Sequence, residues 1–299
     1  MYLVFIVFAF FASVFTIGKV ALLTTQPFFL VGSRMVVAGI FLLIYQFFKD
    51  PSSLKIQKKD LISFFKLALF NIYLTNILEF WGLQYLTSFK TCFIYSLSPF
   101  AAAFLSFVVF SEKMTFKKWQ GLAIGCVGFI PILLSQDSKE AMPGNVLFFS
   151  LAEIAVLAAC ICNVYGWILM KQIVRDNGYS PFVANGFSML IGGTCSLLHS
   201  SMTERWDPLP TTDFLLFVEC GLALIVVSNF IGYNLYGYLL KRYSATFLSF
   251  AGFTTPMFAA FYGWLFLNET IGLEFYFSVV IVFFGLYVFN KEELKVSVQ

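Results

Sequence analysis

The 299-residue chain is 60% hydrophobic and 12% charged, with a formal net charge of +3 and a mean hydropathy of +0.85. Soluble globular domains carry about 25% charged residues, so a water-soluble fold is excluded, and lysines and arginines confined mostly to loops give no nucleic-acid surface. The apolar residues form continuous runs long enough to cross a hydrocarbon core of about 30 Å, without the alternation of barrel strands, so the class is an all-α integral membrane protein.

Taken in chain order, the runs predict ten spans: Tyr2–Leu23, Phe28–Phe48, Leu61–Leu83, Thr91–Phe110, Lys117–Leu134, Val146–Met170, Pro181–His199, Phe214–Tyr238, Thr246–Leu267 and Gly272–Asn290. The first basic residue is Lys19, at the far end of the first run, so this run lacks the basic start of a signal peptide and reads as a retained helix. The loops are short, which leaves function to the space between helices. The forty phenylalanines read mainly as lipid contact.

A charge inside a bilayer costs at least about 2.5 kcal/mol at a helix centre, so each ionisable or polar group within a span needs a reason. Arg34 lies deep in the second span. In the third, Asn71, Thr75 and Glu79 recur every four residues on one face, with Asn76 alongside, and this stripe is expected to face the protein interior. Tyr95 belongs to a small and polar face of the fourth span, and Pro99 interrupts that span. Glu153, Asn163 and Trp167 mark the sixth; Glu219, Asn229, Tyr233 and Tyr236 mark the eighth; Pro256 marks the ninth. Arg34, Glu79, Glu153 and Glu219 fall in one leaflet and are expected to meet at a binding or gating site; the tyrosines, Asn163, Trp167 and Asn229 are candidate cavity walls, and the two prolines candidate kinks. Lys19 reads as a lysine reaching towards the headgroups.

The six cysteines lie inside apolar runs without a CxxC pair, and His199 is the single histidine, so neither disulfides, a metal site nor a cofactor is expected. Basic residues are asymmetric. Lys49, Lys55, Lys58, Lys59, Lys113, Lys117, Lys118, Lys171, Arg175, Lys241, Arg242, Lys291 and Lys295 share the side of the termini, against Lys90, Lys139 and Arg205 opposite, which places both termini in the cytoplasm.

The chain also repeats itself. Pro27, Phe28, Gly32, Met35 and Gly39 match Pro181, Phe182, Gly186, Met189 and Gly193 without a gap. Pro99, Glu112 and Gly128 match Pro256, Glu269 and Gly285 in the same way. Two five-helix halves follow, residues 1–135 and 146–290, and because five is odd the second half enters the membrane from the opposite side.

At this level the chain resembles the drug/metabolite transporter superfamily, in its ten-helix branch with two EamA repeats. The resemblance rests on Gly82-Leu-Gln-Tyr85-Leu-Thr-Ser88, Leu97-Ser98-Pro99-Phe100-Ala101, Phe110-Ser111-Glu112-Lys113-Met114-Thr115 and Gln120-Gly121, with a weaker second copy. Ser111 and Asn268 stand where members of the branch usually carry glycine before the glutamate. It implies alternating access around a central cavity in a bacterial inner membrane, with a small-molecule substrate and a proton or counter-substrate as partners beside the lipid. A carboxylate-lined aromatic cavity suits an amino acid or a cationic adenosyl compound such as S-adenosylmethionine, cargo known within the superfamily; Arg34 and Lys19 would instead suit sugar phosphates or nucleotide sugars. An intramembrane enzyme needs a nucleophile, paired aspartates or a metal site within the spans, and a scaffold needs no polar stripe; both fit the sequence less well.

Overall fold

The computed structural model describes residues 2–110, 115–134, 145–146, 149–243, 248 and 251–296. Ser111 and Glu112 of the fourth-span motif, and the beginning of the expected span at Thr246, lie outside the described residues. Among the described residues the protein is helical apart from a two-residue antiparallel pairing of β1 (Asn145–Val146) with β2 (Phe149–Ser150) and an isolated bridge between Thr25 and Thr211. Six helical segments are long and apolar enough to cross a bilayer among the described residues: Tyr2–Ala21, Pro27–Lys49, Lys58–Leu83, Leu151–Asp176, Pro181–Thr203 and Phe214–Arg242. Large apolar side chains such as Phe41, Phe48, Phe65, Phe214 and Phe277 point outwards, the surface a hydrocarbon solvent requires.

The elements run as follows. Helix α1 (Tyr2–Ala21) leads to α2 (Pro27–Lys49), whose proline occupies the first turn, where no N–H is missed. The third segment is α3 (Leu61–Leu67), a π-helical stretch (Ala68–Leu74) and α4 (Thr75–Leu83). The fourth is divided into α5 (Ser88–Tyr95) and α6 (Ser98–Phe110) by a turn at Ser96 and Leu97, and Pro99 sits in the first turn of α6. Then come α7 (Phe116–Leu134), α8 (Leu151–Lys171) and α9 (Pro181–Thr203). A second π-helical stretch (Ile225–Gly232) joins α10 (Phe214–Leu224) to α11 (Tyr233–Arg242). Helix α12 (Thr255–Leu267) follows a 3-10 turn at Gly252–Thr254 and has Pro256 in its own first turn; α13 (Leu273–Val296) closes the chain. Both prolines therefore begin a helix after an interruption instead of bending one through its middle, because a proline in the first turn forfeits no hydrogen bond.

Two helix pairs hold the architecture together, α2 against α9 and α7 against α13. Backbones touch in both. A Cβ on Gly39 would lie 2.8 Å from the Leu190 amide, and one on Gly193 2.8 Å from the Val36 amide. Gly32 likewise faces Leu197, and Gly186 faces Leu43. A shift of 154 residues turns each contact into its partner. In the other pair Gly128 meets Val282 and Gly285 meets Gly125, again reciprocal, at a shift of 157. Absent side chains are what let helices approach closely in lipid, where dispersion contacts replace the hydrophobic drive.

Candidate functional site: a carboxylate-bearing aromatic cavity

A cavity opens between α1, α4, α5, α8, α11 and the segment leading into α12, with about 1070 Å³ of space free of atoms when its open mouth is counted. One wall is aromatic. Trp167 of α8 lies 4.3 Å from Tyr236 and 5.3 Å from Tyr233, centroid to centroid, and Phe11 of α1 meets the two tyrosines at 5.9 and 6.0 Å. The other wall is polar, formed by Asn76 and Glu79 of α4 and Tyr95 of α5, with Asn163 of α8 and Ser228 also on the lining. The helix interruptions contribute Ser96, Ser98, Gly252 and Thr255. Interrupted helices are the usual way that irregular backbone is brought to a site at membrane depth.

Glu79 is 7% exposed, and its Oε2 accepts a 2.6 Å hydrogen bond from the Tyr95 hydroxyl. Among the described residues it is the one charged side chain on the cavity lining. Arg34 stands behind that wall. Its Nη2 donates to Asn76 Oδ1 at 2.7 Å, its guanidinium carbon lies 4.3 Å above the Phe80 ring, and Nε and Nη1 have no hydrogen-bond partner among the described residues. The arginine thus fixes the amide of Asn76, whose Nδ2 turns to the Ile72 carbonyl at 2.8 Å and to Tyr233 Oη at 3.5 Å.

The four charged groups expected together are not gathered. Glu153 is buried at the start of α8, where it closes a capping box with Ser150 and forms a 3.0 Å ion pair with Lys90. Glu219 is exposed on the outside of α10. Lys90, one residue before the expected fourth span, is 2% exposed within α5. Lys19 does not reach for headgroups: its Nζ donates to the carbonyls of Leu83, Gln84 and Leu86, closing the end of α4.

The polar stripe of the third segment faces inwards, yet only its last member reaches the cavity. Asn71 is fully buried against Gly166 with neither side-chain polar atom hydrogen-bonded among the described residues, and the Thr75 hydroxyl turns back to the Phe70 carbonyl at 2.7 Å. The π-helical stretch widens the turn between them, so the four-residue periodicity of an α-helix no longer holds through residues 68–74. Asn229, expected on the lining, is also fully buried, its Nδ2 3.0 Å from the Met35 sulfur. Tyr95, Asn163, Trp167, Tyr233 and Tyr236 do line the cavity. Sequence reasoning missed Asn76 as a lining residue proper, Ser228, and a signal that was present: Asn71 and Asn76 have the spacing of Asn229 and Asn234. In both pairs the second asparagine donates back into the π-helical turn, Asn76 to Ile72 at 2.8 Å and Asn234 to Phe230 at 2.8 Å.

The EamA-like transporter family matches residues 1–134 and again 150–291. The chain belongs to that family. It is 38% identical over 95% of its length to the S-adenosylmethionine/S-adenosylhomocysteine transporter of Chlamydia trachomatis serovar L2, covering 86% of that protein, and 38% identical to the protein of the same name in Chlamydia muridarum, covering 89%. A chloroplastic WAT1-related protein of Arabidopsis thaliana is 26% identical over 96% of this chain and 68% of its own. A solved crystal structure with 13% identity superimposes with a TM-score of 0.69, covering 99% of this chain and 96% of the other, a likeness of fold. As an EamA-family member the chain is a multi-pass membrane transporter of a small molecule.

Proposed function

We propose that this transporter carries S-adenosylmethionine and its product S-adenosylhomocysteine across a bacterial inner membrane by alternating access. The observation that carries the reading is the cavity itself, where Glu79 shares the lining with the tilted, mutually packed rings of Trp167, Tyr233 and Tyr236. An adenine ring gains from aromatic faces, and a sulfonium or ammonium gains from a carboxylate and from π-clouds together. The named Chlamydia relatives support the same cargo. An anionic cargo would need a cation on the lining, and Arg34 stands outside it.

The transport cycle in this reading belongs to ten spans arranged as two inverted halves, residues 1–135 and 146–290, with both termini cytoplasmic. The reciprocal glycine contacts of α2 with α9 and of α7 with α13 support a two-fold relation between halves, as do the paired π-helical stretches and the paired interruptions before Pro99 and Pro256. Residues from both halves line one cavity, which is where such a relation places a substrate. Exchange of one adenosyl compound for the other, or coupling to a proton, supplies the driving force, since no P-loop GxxxxGK[ST] segment occurs in the chain.

Two measurements test the proposal. Cells expressing the chain should accumulate labelled S-adenosylmethionine, and unlabelled S-adenosylhomocysteine should release it. On purified protein, ligand at a hundredfold excess over Kd should stabilise the fold by about 2.7 kcal/mol, seen as a rise in Tm. Absence of both uptake and stabilisation with either compound, in protein that is folded and inserted, would rule the reading out.

A further inference from the structure

We propose that Glu79 is the group that distinguishes a positively charged adenosyl ligand from an uncharged one, an inference that rests on the adenosyl reading above. The two compounds share adenine, ribose and the amino-acid end. They differ at sulfur, where the sulfonium carries a methyl group and a positive charge and the thioether carries neither. Most of the cavity has little means of sensing that difference. Rings at Trp167, Tyr233 and Tyr236 and an amide at Asn76 treat the shared parts alike, and their attraction to a cation is the lesser one.

Glu79 is different in kind. It is the charged group on the lining among the described residues, and Arg34, which donates to Asn76 and lies over the Phe80 ring, interacts with it electrostatically from behind the wall without joining the lining. The Tyr95 hydroxyl holds Oε2 at 2.6 Å, which fixes the carboxylate in place and leaves Oε1 free of any hydrogen bond from that tyrosine. A carboxylate so fixed, inside a largely apolar hollow, acts on a ligand charge with little screening by water. The added positive charge therefore improves binding, and removing the carboxylate's charge removes the improvement while leaving the aromatic contacts in place.

Equilibrium binding to purified protein provides the test, with three probes: S-adenosylmethionine, S-adenosylhomocysteine, and sinefungin, which replaces the sulfonium by an ammonium-bearing carbon. The wild type should bind both cationic probes at least about tenfold more tightly than the thioether. Glu79→Gln should bring the three within about threefold of one another, mainly by weakening the cationic pair. Tyr95→Phe keeps the charge and deletes the hydrogen bond, so it should keep the preference even though the affinities themselves shift. Equal binding of all three probes by the wild type, an unchanged preference in Glu79→Gln, or loss of the preference in Tyr95→Phe to the same extent as in Glu79→Gln would overturn this inference and leave the adenosyl reading standing. If the folded wild type binds none of the three, the adenosyl reading falls, and this inference with it.

Discussion

At the scale of single residues, the buried charges divide into those that serve the cavity and those that hold it together. Lys90 and Glu153 belong to the second group, 2% and 3% exposed and 3.0 Å apart. Taking one partner from such a pair leaves a charge without compensation, a loss of about 3 kcal/mol or more. Lys90→Met should therefore lower Tm markedly in detergent, and adding Glu153→Gln, which retains the capping role, should recover most of the loss. Arg34→Ala removes the hydrogen bond that orients Asn76 and the cation over Phe80, and should cut uptake of S-adenosylmethionine to about a tenth or less while insertion into the membrane persists; Arg34→Lys should not restore it, because an ammonium lacks the planar face that stacks on Phe80. The need for a partner at Arg34 and an inward place for Glu79 was legible in the sequence, from the cost of charge in lipid. The identity of the partners was not, because it depends on helices forty or more positions apart: Arg34 meets an asparagine and Glu153 meets a lysine that looked like loop.

Helices and their breaks carry the next level of information. Among the described residues six of the apolar runs correspond to helical segments long and apolar enough to cross a bilayer, since hydropathy reports length directly, and the paired prolines fall at interruptions. What the runs could not report is the π-helical geometry at Ala68–Leu74 and Ile225–Gly232, which depends on an asparagine donating to carbonyls four and five residues back, and which pulls Asn71 and Thr75 away from the cavity. Glycine contacts were half legible. The repeat marked Gly39 and Gly193 as equivalent, but not that each presses on the helix bearing the other. Gly39→Ala would set a methyl 2.8 Å from a backbone amide that has no room to turn aside, so α2 and α9 must separate; a loss of about 1–3 kcal/mol is expected by thermal unfolding. Gly221→Ala, where an added Cβ meets nothing within 4 Å, should leave Tm where it is or raise it slightly.

For the molecule as a whole, composition was enough to fix the solvent, and the internal repeat enough to suggest one cavity shared by two halves. Neither indicated that Glu79 would be the one carboxylate on the lining among the described residues, since that follows from Glu153 and Glu219 being placed elsewhere. Orientation is open to direct measurement. Cysteines introduced at Tyr2→Cys and Ser297→Cys should both resist a membrane-impermeant maleimide in intact cells and react after permeabilisation; labelling of just one would contradict an even number of crossings. A fixed negative group on the cavity lining also has an electrical meaning. With that group ionised, the vacant carrier is the species that feels the transmembrane voltage, and a monovalent cationic passenger cancels it. One elementary charge in 100 mV is worth about 2.3 kcal/mol, so during uptake an inside-negative potential would favour the return of the vacant form outwards and leave the loaded journey almost untouched.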